Sequence, residues 1–228
     1  MPLETSIAID GPAGSGKSTI AKMLSSATGL PYLSTGEMYR AVALCALRAG
    51  ASLEIESEVL ASAEAGKISA QPDGMGGFRI LCADKDVTGL LRSVEVSRAS
   101  SPVAVHAGVR SLMVRLQRAI AESTDVIMDG RDIGTVVLKE SHNKVYLDAS
   151  PEERARRRLA DFIGTGLTFE QVLKDILERD RRDSTRSVDP LRPAADALVI
   201  DTTEMTPEEV VADILSFIDR NSGGGKLA

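Results

Sequence analysis

The sequence predicts a three-layer α/β fold with a parallel central sheet, enlarged by a second lobe that carries a small antiparallel β insertion. Three observations predict it. Short apolar runs alternate with stretches of helical periodicity, the pattern of a parallel sheet covered on both faces. The first run leads straight into a glycine-rich turn and then a helix. The alternation breaks once, after residue 66, where β-like pieces follow one another without helices between them. With 228 residues, 43% of them hydrophobic, the chain can bury one sizeable core with appended lobes.

Residues 6–10 (Ser-Ile-Ala-Ile-Asp) form the first candidate strand. A helix is expected over 17–27, where Ile20, Met23, Leu24 and Ala27 recur at helical spacing and Gly29 and Pro31 stop it. A short strand over 31–33 precedes helices over 37–49, ended by Gly50, and 54–65. Segments 67–71, 78–83 and 85–87 make the antiparallel insertion, separated by the turn-rich residues 72–77 and by Asp84. A long helix covers 107–122 with Val109, Leu112, Leu116 and Ile120 on one face, followed by buried strands at 125–129 and 144–148. Ser150 and Pro151 open a helix as N-cap and first-turn proline. Residues 168–181 are amphipathic through Phe169, Val172, Leu173, Ile176 and Leu177. A last strand over 197–201 precedes a helix opened by residues 206–209, and residues 221–228, with three consecutive glycines, are expected to be a disordered tail.

No apolar run approaches the roughly 20 residues that span a bilayer, and the N-terminus has neither a basic start nor a signal-type apolar stretch. A cytoplasmic protein is the expectation. Cys45 and Cys82 lie far apart in sequence without paired histidines, so they are expected to be buried free thiols rather than a disulfide or zinc site. The formal net charge of −6 argues against a broad nucleic-acid-binding surface. Yet Arg154, Arg156, Arg157 and Arg158, then Arg179, Arg181, Arg182 and Arg186, concentrate positive charge in two places. That suits a small polyanion.

The glycine-rich turn runs Gly11, Pro12, Ala13, Gly14, Ser15, Gly16, Lys17, Ser18, Thr19. It has the spacing G-x-x-x-x-G-K-[ST] between a strand and a helix, the context of a phosphate-binding loop. Glycines let backbone N–H groups turn inward around phosphate oxygens, and the helix N-terminus adds partial positive charge. Lys17 can reach the β- and γ-phosphates, and the Ser18 hydroxyl can ligate Mg²⁺. A nucleoside triphosphate with Mg²⁺ is the expected ligand. A regulatory GTPase would carry N-K-x-D, but Asn143-Lys144 is followed by Val145-Tyr146. Residues 129–137 read Asp-Gly-Arg-Asp-Ile-Gly-Thr-Val-Val. Asp129, ending a strand, is either a metal-orienting carboxylate or the cap of the following turn. In Ser34-Thr35-Gly36-Glu37-Met38-Tyr39-Arg40, the hydroxyls could be N-caps and Arg40 a solvated charge.

Taken together these stretches resemble the bacterial-type cytidylate kinases, a branch of the nucleoside monophosphate kinases among the P-loop NTPases, over essentially the whole chain to about residue 219. The likeness is carried by G-P-A-G-S-G-K-S-T, S-T-G-E-M-Y-R, D-G-R-D-I-G-T-V-V, Y-L-D-A-S-P-E-E-R-A-R-R-R, E-R-D-R-R-D-S-T-R and P-A-A-D-A-L-V-I-D-T. The third and fifth are the specific ones. The resemblance implies a core of residues 1–34 and 106–220 with a lid near 155–167, and a monophosphate-binding lobe over 35–105. It implies transfer of the ATP γ-phosphate to CMP or dCMP. No extra interface element stands out in the sequence, so a monomer is expected, with no nucleic-acid or membrane partner.

The catalytic set it implies is Lys17, Arg40, Arg131 and Asp129. ATP would lie on residues 11–19, with Arg154, Arg157 and Arg158 folding over it, though a solvated helical face is the competing account of those three. CMP would be bound by Thr35, Arg40, Ser101, Arg110, Arg131, Asp132, Arg179, Asp183 and Arg186, the contact at Ser101 falling alternatively on Ser100. Asp132 would accept from the cytosine amino group, where uracil has a carbonyl. Planar guanidiniums suit bidentate phosphate capture. No general base is needed, which leaves His106 and His142 outside the chemistry. Another small-molecule kinase of this fold, or a nucleotide-dependent switch, are the competing readings.

Overall fold

The computed structural model describes residues 5–160 and 166–221. Five parallel strands, β1 (Ile7–Asp10), β2 (Tyr32–Ser34), β6 (Ile127–Gly130), β7 (Asn143–Asp148) and β8 (Leu198–Asp201), make a sheet in the order β2-β6-β1-β7-β8. Strand alternation distributes its side chains to two faces. Ile7, Ile9, Ile127 and Val145 pack with Ile20 and Leu24 of α1 (Lys17–Thr28) and with Ile214 and Ile218 of α8 (Pro207–Asn221). Ala8, Leu33 and Met128 face α2 (Thr35–Ala49) and α5 (Ala107–Ser123) instead. These are the three layers the alternating pattern predicts.

A second, antiparallel sheet of β3 (Ser69–Pro72), β4 (Phe78–Cys82) and β5 (Lys85–Asp86) follows α3 (Glu56–Ala65). Its Ile80 and Cys82 belong to the same apolar cluster as Leu33 and Met128, so the insertion shares the core of the parallel sheet. Cys45 and Cys82 are free, as expected, but not apart: the fold brings their sulfur atoms within 3.5 Å. A pair separated by 37 positions meets because α2 packs against β4.

Three elements differ from the sequence pattern. Helix α4 (Val94–Val103), capped by the Ser93 hydroxyl accepting from the Val96 amide, has no counterpart in it. Its three serines, β-branched residues and internal Pro102 give no helical signal. In α5 the deepest residues are Val109, Arg110, Met113, Gln117 and Ala121, while Leu112, Leu116 and Ile120 pack at the cluster's margin. The buried seam sits one position round from the apolar stripe, because Arg110 is buried by ion pairing that a hydrophobicity pattern does not register. Helix α7 (Phe169–Thr185), opened by a Thr168–Gln171 capping box, runs past residue 181 and so carries Arg179, Arg182 and Asp183 on one rigid element. At the C-terminus Asn221, expected in the tail, is helical and donates to the His142 carbonyl; residues 222–228 lie outside the described residues. Among the described residues no helix is long and apolar enough to cross a membrane.

Leu33 is fully buried between the sheet and α2. Leu33→Ala is expected to cost about 2–5 kcal/mol, whereas Leu177→Ala, at a half-exposed position, should stay within about 0.5 kcal/mol. Urea denaturation midpoints of the two variants check the contrast.

Candidate active site

The glycine-rich loop joins β1 to α1 at the C-terminal edge of the sheet. Gly11 has φ +146°, and a Cβ there would lie 2.0 Å from the Leu147 carbonyl oxygen. Gly14, at φ +81°, would place one 2.8 Å from the Arg154 carbonyl. Only glycine lets the loop pass this close to the end of β7 and the first turn of α6 (Pro151–Ala160). The Arg154 guanidinium supports the loop from behind, donating to the Ala13 carbonyl and, at 2.6 Å, to Asp180. It is buried and does not line the cleft, whereas Arg157 and Arg158 do line it. Arg157 is tied to Thr202 and Glu153, and Arg158 reaches the Ser97 hydroxyl of α4 at 3.0 Å. Residues 161–165 of the expected lid lie outside the described residues.

The cleft in front of the loop has a volume of 910 Å³. It opens at the C-terminal ends of β1, β2 and β6, where open α/β sheets bind ligands. At one end are Gly16, Lys17, Ser18 and Thr19, at the other Thr35, Arg110 and Asp132, with Arg40, Arg131, Arg158 and Arg179 also on its wall. Gly11, Pro12 and Ser15 stand behind the lining. The Lys17 ammonium donates to the Pro12 carbonyl at 2.5 Å and to the Ser15 hydroxyl at 3.3 Å. Burial, then the charge of Arg131, pushes Lys17 well below its ordinary value.

Asp129 ends β6 and is engaged on both carboxylate oxygens. The Ser18 hydroxyl donates to one and the Tyr32 hydroxyl to the other, each at 2.9 Å. Its backbone carbonyl accepts from Thr35 at 2.7 Å, which fixes the start of α2 against the sheet. Asp129 is therefore no turn cap. That job belongs to Asp10, the last residue of β1, whose oxygens accept from the amides of Ile133 and Gly134 at 2.8 and 2.7 Å. Burial pushes the Asp10 carboxyl up to about 7 against the pull of those two amides. Sequence reasoning passed over Asp10; the available signal was an acid closing a buried strand directly before the glycine loop.

The arginines converge on two buried carboxylates. Arg131 donates to Asp183 at 3.0 Å, and Arg179 and Arg186 approach the same carboxylate at 3.8 and 4.0 Å. Burial raises the Asp183 carboxyl, but the three guanidiniums more than offset it and hold it below the ordinary range. Burial and the charge of Arg131 lower Arg179 to about 9. Arg40 is lowered by burial and by Arg158. The Nε atoms of Arg40 and Arg179 are buried with no hydrogen-bond partner among the described residues. Buried unpaired donors are costly, and an anion in the cleft would satisfy them. Asp132 takes Arg110 on one oxygen and Arg186 on the other, the latter at 3.3 Å. Arg110 also stands 5.8 Å over the Tyr39 ring.

Of the two candidate serines the cleft is lined by Ser100, while Ser101 accepts from Arg182 at 2.6 Å. α4 thus turns Ser101 toward α7. Glu37 and Arg92, paired at 3.2 Å, line the cleft without having been expected there. His106 bonds the Leu53 carbonyl and neither histidine lines the cleft.

Comparisons with known proteins extend over nearly the whole chain. The family described as cytidylate kinase matches residues 7–220. The cytidylate kinase of Pelotomaculum thermopropionicum is 47% identical over 214 residues, covering 93% of this chain and 95% of the relative. That of Carboxydothermus hydrogenoformans is 44% identical over 218 residues, covering 95% and 98%. Among solved structures, an uncharacterized protein from Eubacterium ventriosum overlays with a TM-score of 0.50 at 14% identity, covering 94% of this chain and 97% of that one, a likeness of fold alone.

Asp183→Asn leaves three buried guanidiniums with one anion fewer, and is expected to cost about 3 kcal/mol at neutral pH. Because the carboxyl titrates below its unfolded value of about 3.9, its contribution is complete above that pH and is lost as pH falls through the folded-state value. Urea denaturation at about pH 7 and about pH 3 checks this: the gap between wild type and variant narrows at the lower pH.

Proposed function

The chain belongs to the cytidylate kinase family, and from that premise we infer that it transfers the γ-phosphate of ATP to CMP or dCMP, giving ADP and CDP or dCDP. The observation that carries the reading is the convergence of Arg40, Arg131, Arg158 and Arg179 on a cleft walled also by a phosphate-binding loop and by a carboxylate–arginine pair. Such a cleft suits two anions brought face to face.

ATP takes the backbone amides of residues 13–19, and its phosphates draw the Lys17 ammonium off the Pro12 carbonyl. Arg157 and Arg158 lie over it. Arg40 and Arg131 grip the acceptor phosphate, and Asp183 keeps Arg131 and Arg179 aimed while meeting the ribose. Thr35, Arg110, Asp132 and Arg186 read the base. A cytosine amino group donates to the Asp132 carboxylate, whereas uracil presents an acceptor there and leaves the pair unsatisfied. The contact with the sugar or base from α4 falls to Ser100. The Ser18 hydroxyl and Asp129 carboxylate are hard oxygen donors already within hydrogen-bond distance of each other, a set that fits Mg²⁺ completed by phosphate oxygens and water. When bound, Mg²⁺ neutralises charge on the phosphates.

No proton need be removed from the acceptor, because a phosphate monoester with a second pKa of about 6 is already the nucleophile. Rate enhancement then comes from alignment and from cations fixed in advance where charge shifts during transfer. Arg40, Arg131, Arg158 and Lys17 are held against mutual repulsion by the fold, so they reorganise little as the reaction proceeds. Water would compete for the phosphoryl group, so residues 35–105 and the segment near 155–167 act as lobe and lid closing toward the core of 1–34 and 106–220. The apolar cluster continuous from the sheet to Ile80 favours rotation of the lobe over separation from the core.

ADP release with ATP·Mg²⁺ and a panel of CMP, dCMP, UMP, AMP, GMP and shikimate should be fast with CMP and dCMP only. UMP matching CMP would remove the base-reading roles of Asp132 and Arg110. Acceptor-independent hydrolysis alone would make the protein a nucleotide-dependent switch. Small-angle scattering with a bisubstrate analogue is expected to show compaction; an unchanged radius of gyration would rule out closure.

A further inference from the structure

Asp189 lies in the connection between α7 and β8 at φ +48°, in the left-handed region that favours glycine, asparagine and aspartate. That backbone turn lets one residue serve two arginines. Its carboxylate accepts from Arg110 Nε at 3.3 Å, and its carbonyl accepts from Arg186 Nε at 2.7 Å. Arg110 and Arg186 in turn donate to the two oxygens of Asp132. Asp189 therefore closes a ring that runs from its carboxylate through Arg110, Asp132 and Arg186 back to its own carbonyl. Two guanidiniums and two carboxylates balance within it.

The donors of Arg110 show what the closure does. Nε is used by Asp189, Nη1 by the Ala104 carbonyl and Nη2 by Asp132. Of the five N–H groups on a guanidinium, one on each terminal nitrogen remains for a ligand. The Arg110 side chain is only 1% exposed, so without Asp189 its Nε would be buried and unpaired. The cheapest repair is fork-to-fork pairing with Asp132. Both carboxylate oxygens would then turn to Arg110, breaking the 3.3 Å contact with Arg186 and rotating their remaining lone pairs away from the direction the ring holds them in.

We propose that Asp189 is a positioning residue for base selection: it holds Arg110 and Arg186 so that Asp132 keeps an accepting edge for the exocyclic amino group of the acceptor's base. This rests on the reading of the cleft as a CMP site. Asp189 touches the base only through the arginines. Its side chain is 28% exposed, and the neighbouring Leu191 amide is anchored separately on the Asp183 carbonyl, so changes at 189 leave the core intact.

Initial rates with ATP and either CMP or UMP are compared for wild type, Asp189→Ala, Asp189→Gly and Asp189→Asn. The alanine and glycine variants are expected to lose about tenfold in kcat/KM for CMP, mainly through KM, with UMP unchanged and KM for ATP unmoved. Asparagine, which keeps an acceptor oxygen and the left-handed backbone, restores most of the loss. A wild-type CMP-to-UMP ratio in both alanine and glycine variants overturns the proposal. So does impairment of alanine alone, which would assign the effect to backbone strain, or a parallel loss for CMP, UMP and ATP. A wild-type enzyme with no preference for CMP strikes instead at the reading of the site.

Discussion

Arg131, Arg179 and Arg186 meet around the buried carboxylate of Asp183, and the active cleft is organised by that meeting. Each guanidinium would repel the others in a low-dielectric wall, and burial works against all of them. Asp183 offsets part of this through one direct contact and two longer ones. The Nε atoms of Arg40 and Arg179 are left without a hydrogen bond among the described residues. The fold thus bears a local electrostatic cost in holding a surplus of positive charge on the wall of the cleft. A chain with formal net charge −6 tolerates this because the surplus is confined to one cleft.

Around that centre the rigid elements have separable tasks. The β1–α1 turn forms the glycine-rich loop, with Arg154 bracing it from behind. β6 delivers Asp129 to Ser18 and Tyr32, and the following turn, pinned by Asp10, delivers Arg131 and Asp132 to the wall of the cleft. α7 supplies Arg179 and Asp183 from one helix, so their i,i+4 spacing is set by backbone geometry rather than by loop conformation. The two buried carboxylates are coupled, because Arg186 touches both Asp132 and Asp183. A distortion at either carboxylate is felt at the other.

Much of this was legible in the sequence where the signal is local. The glycine loop, the apolar strands, the turn residues of the second sheet and the Thr168 and Ser150 helix starts all act over a few residues. Signals that depend on a distant partner were not legible. Helix α4 has weak propensity and is held by packing against α2. The buried face of α5 is set by Arg110, whose partners Asp132 and Asp189 come from other segments. Cys45 and Cys82 meet only because α2 crosses β4. Ser100 rather than Ser101 faces the cleft because Arg182 of α7 claims the latter.

The sequence by itself determined the alternation of strands and helices, the phosphate-binding loop, and the inventory of arginines and aspartates that resembles one family of kinases. Periodicity and motif spacing suffice for these, since they follow from hydrogen bonding and side-chain projection along a single segment. Only the tertiary structure decided which oxygen each arginine faces, that Arg154 braces while Arg157 and Arg158 line, that Asp10 and not Asp129 holds the turn, and that Asp189 closes the ring around Asp132. Those outcomes turn on the distances and burial of charges far apart in the chain. Coulombic and desolvation energies depend on position in space, which residue order alone does not specify.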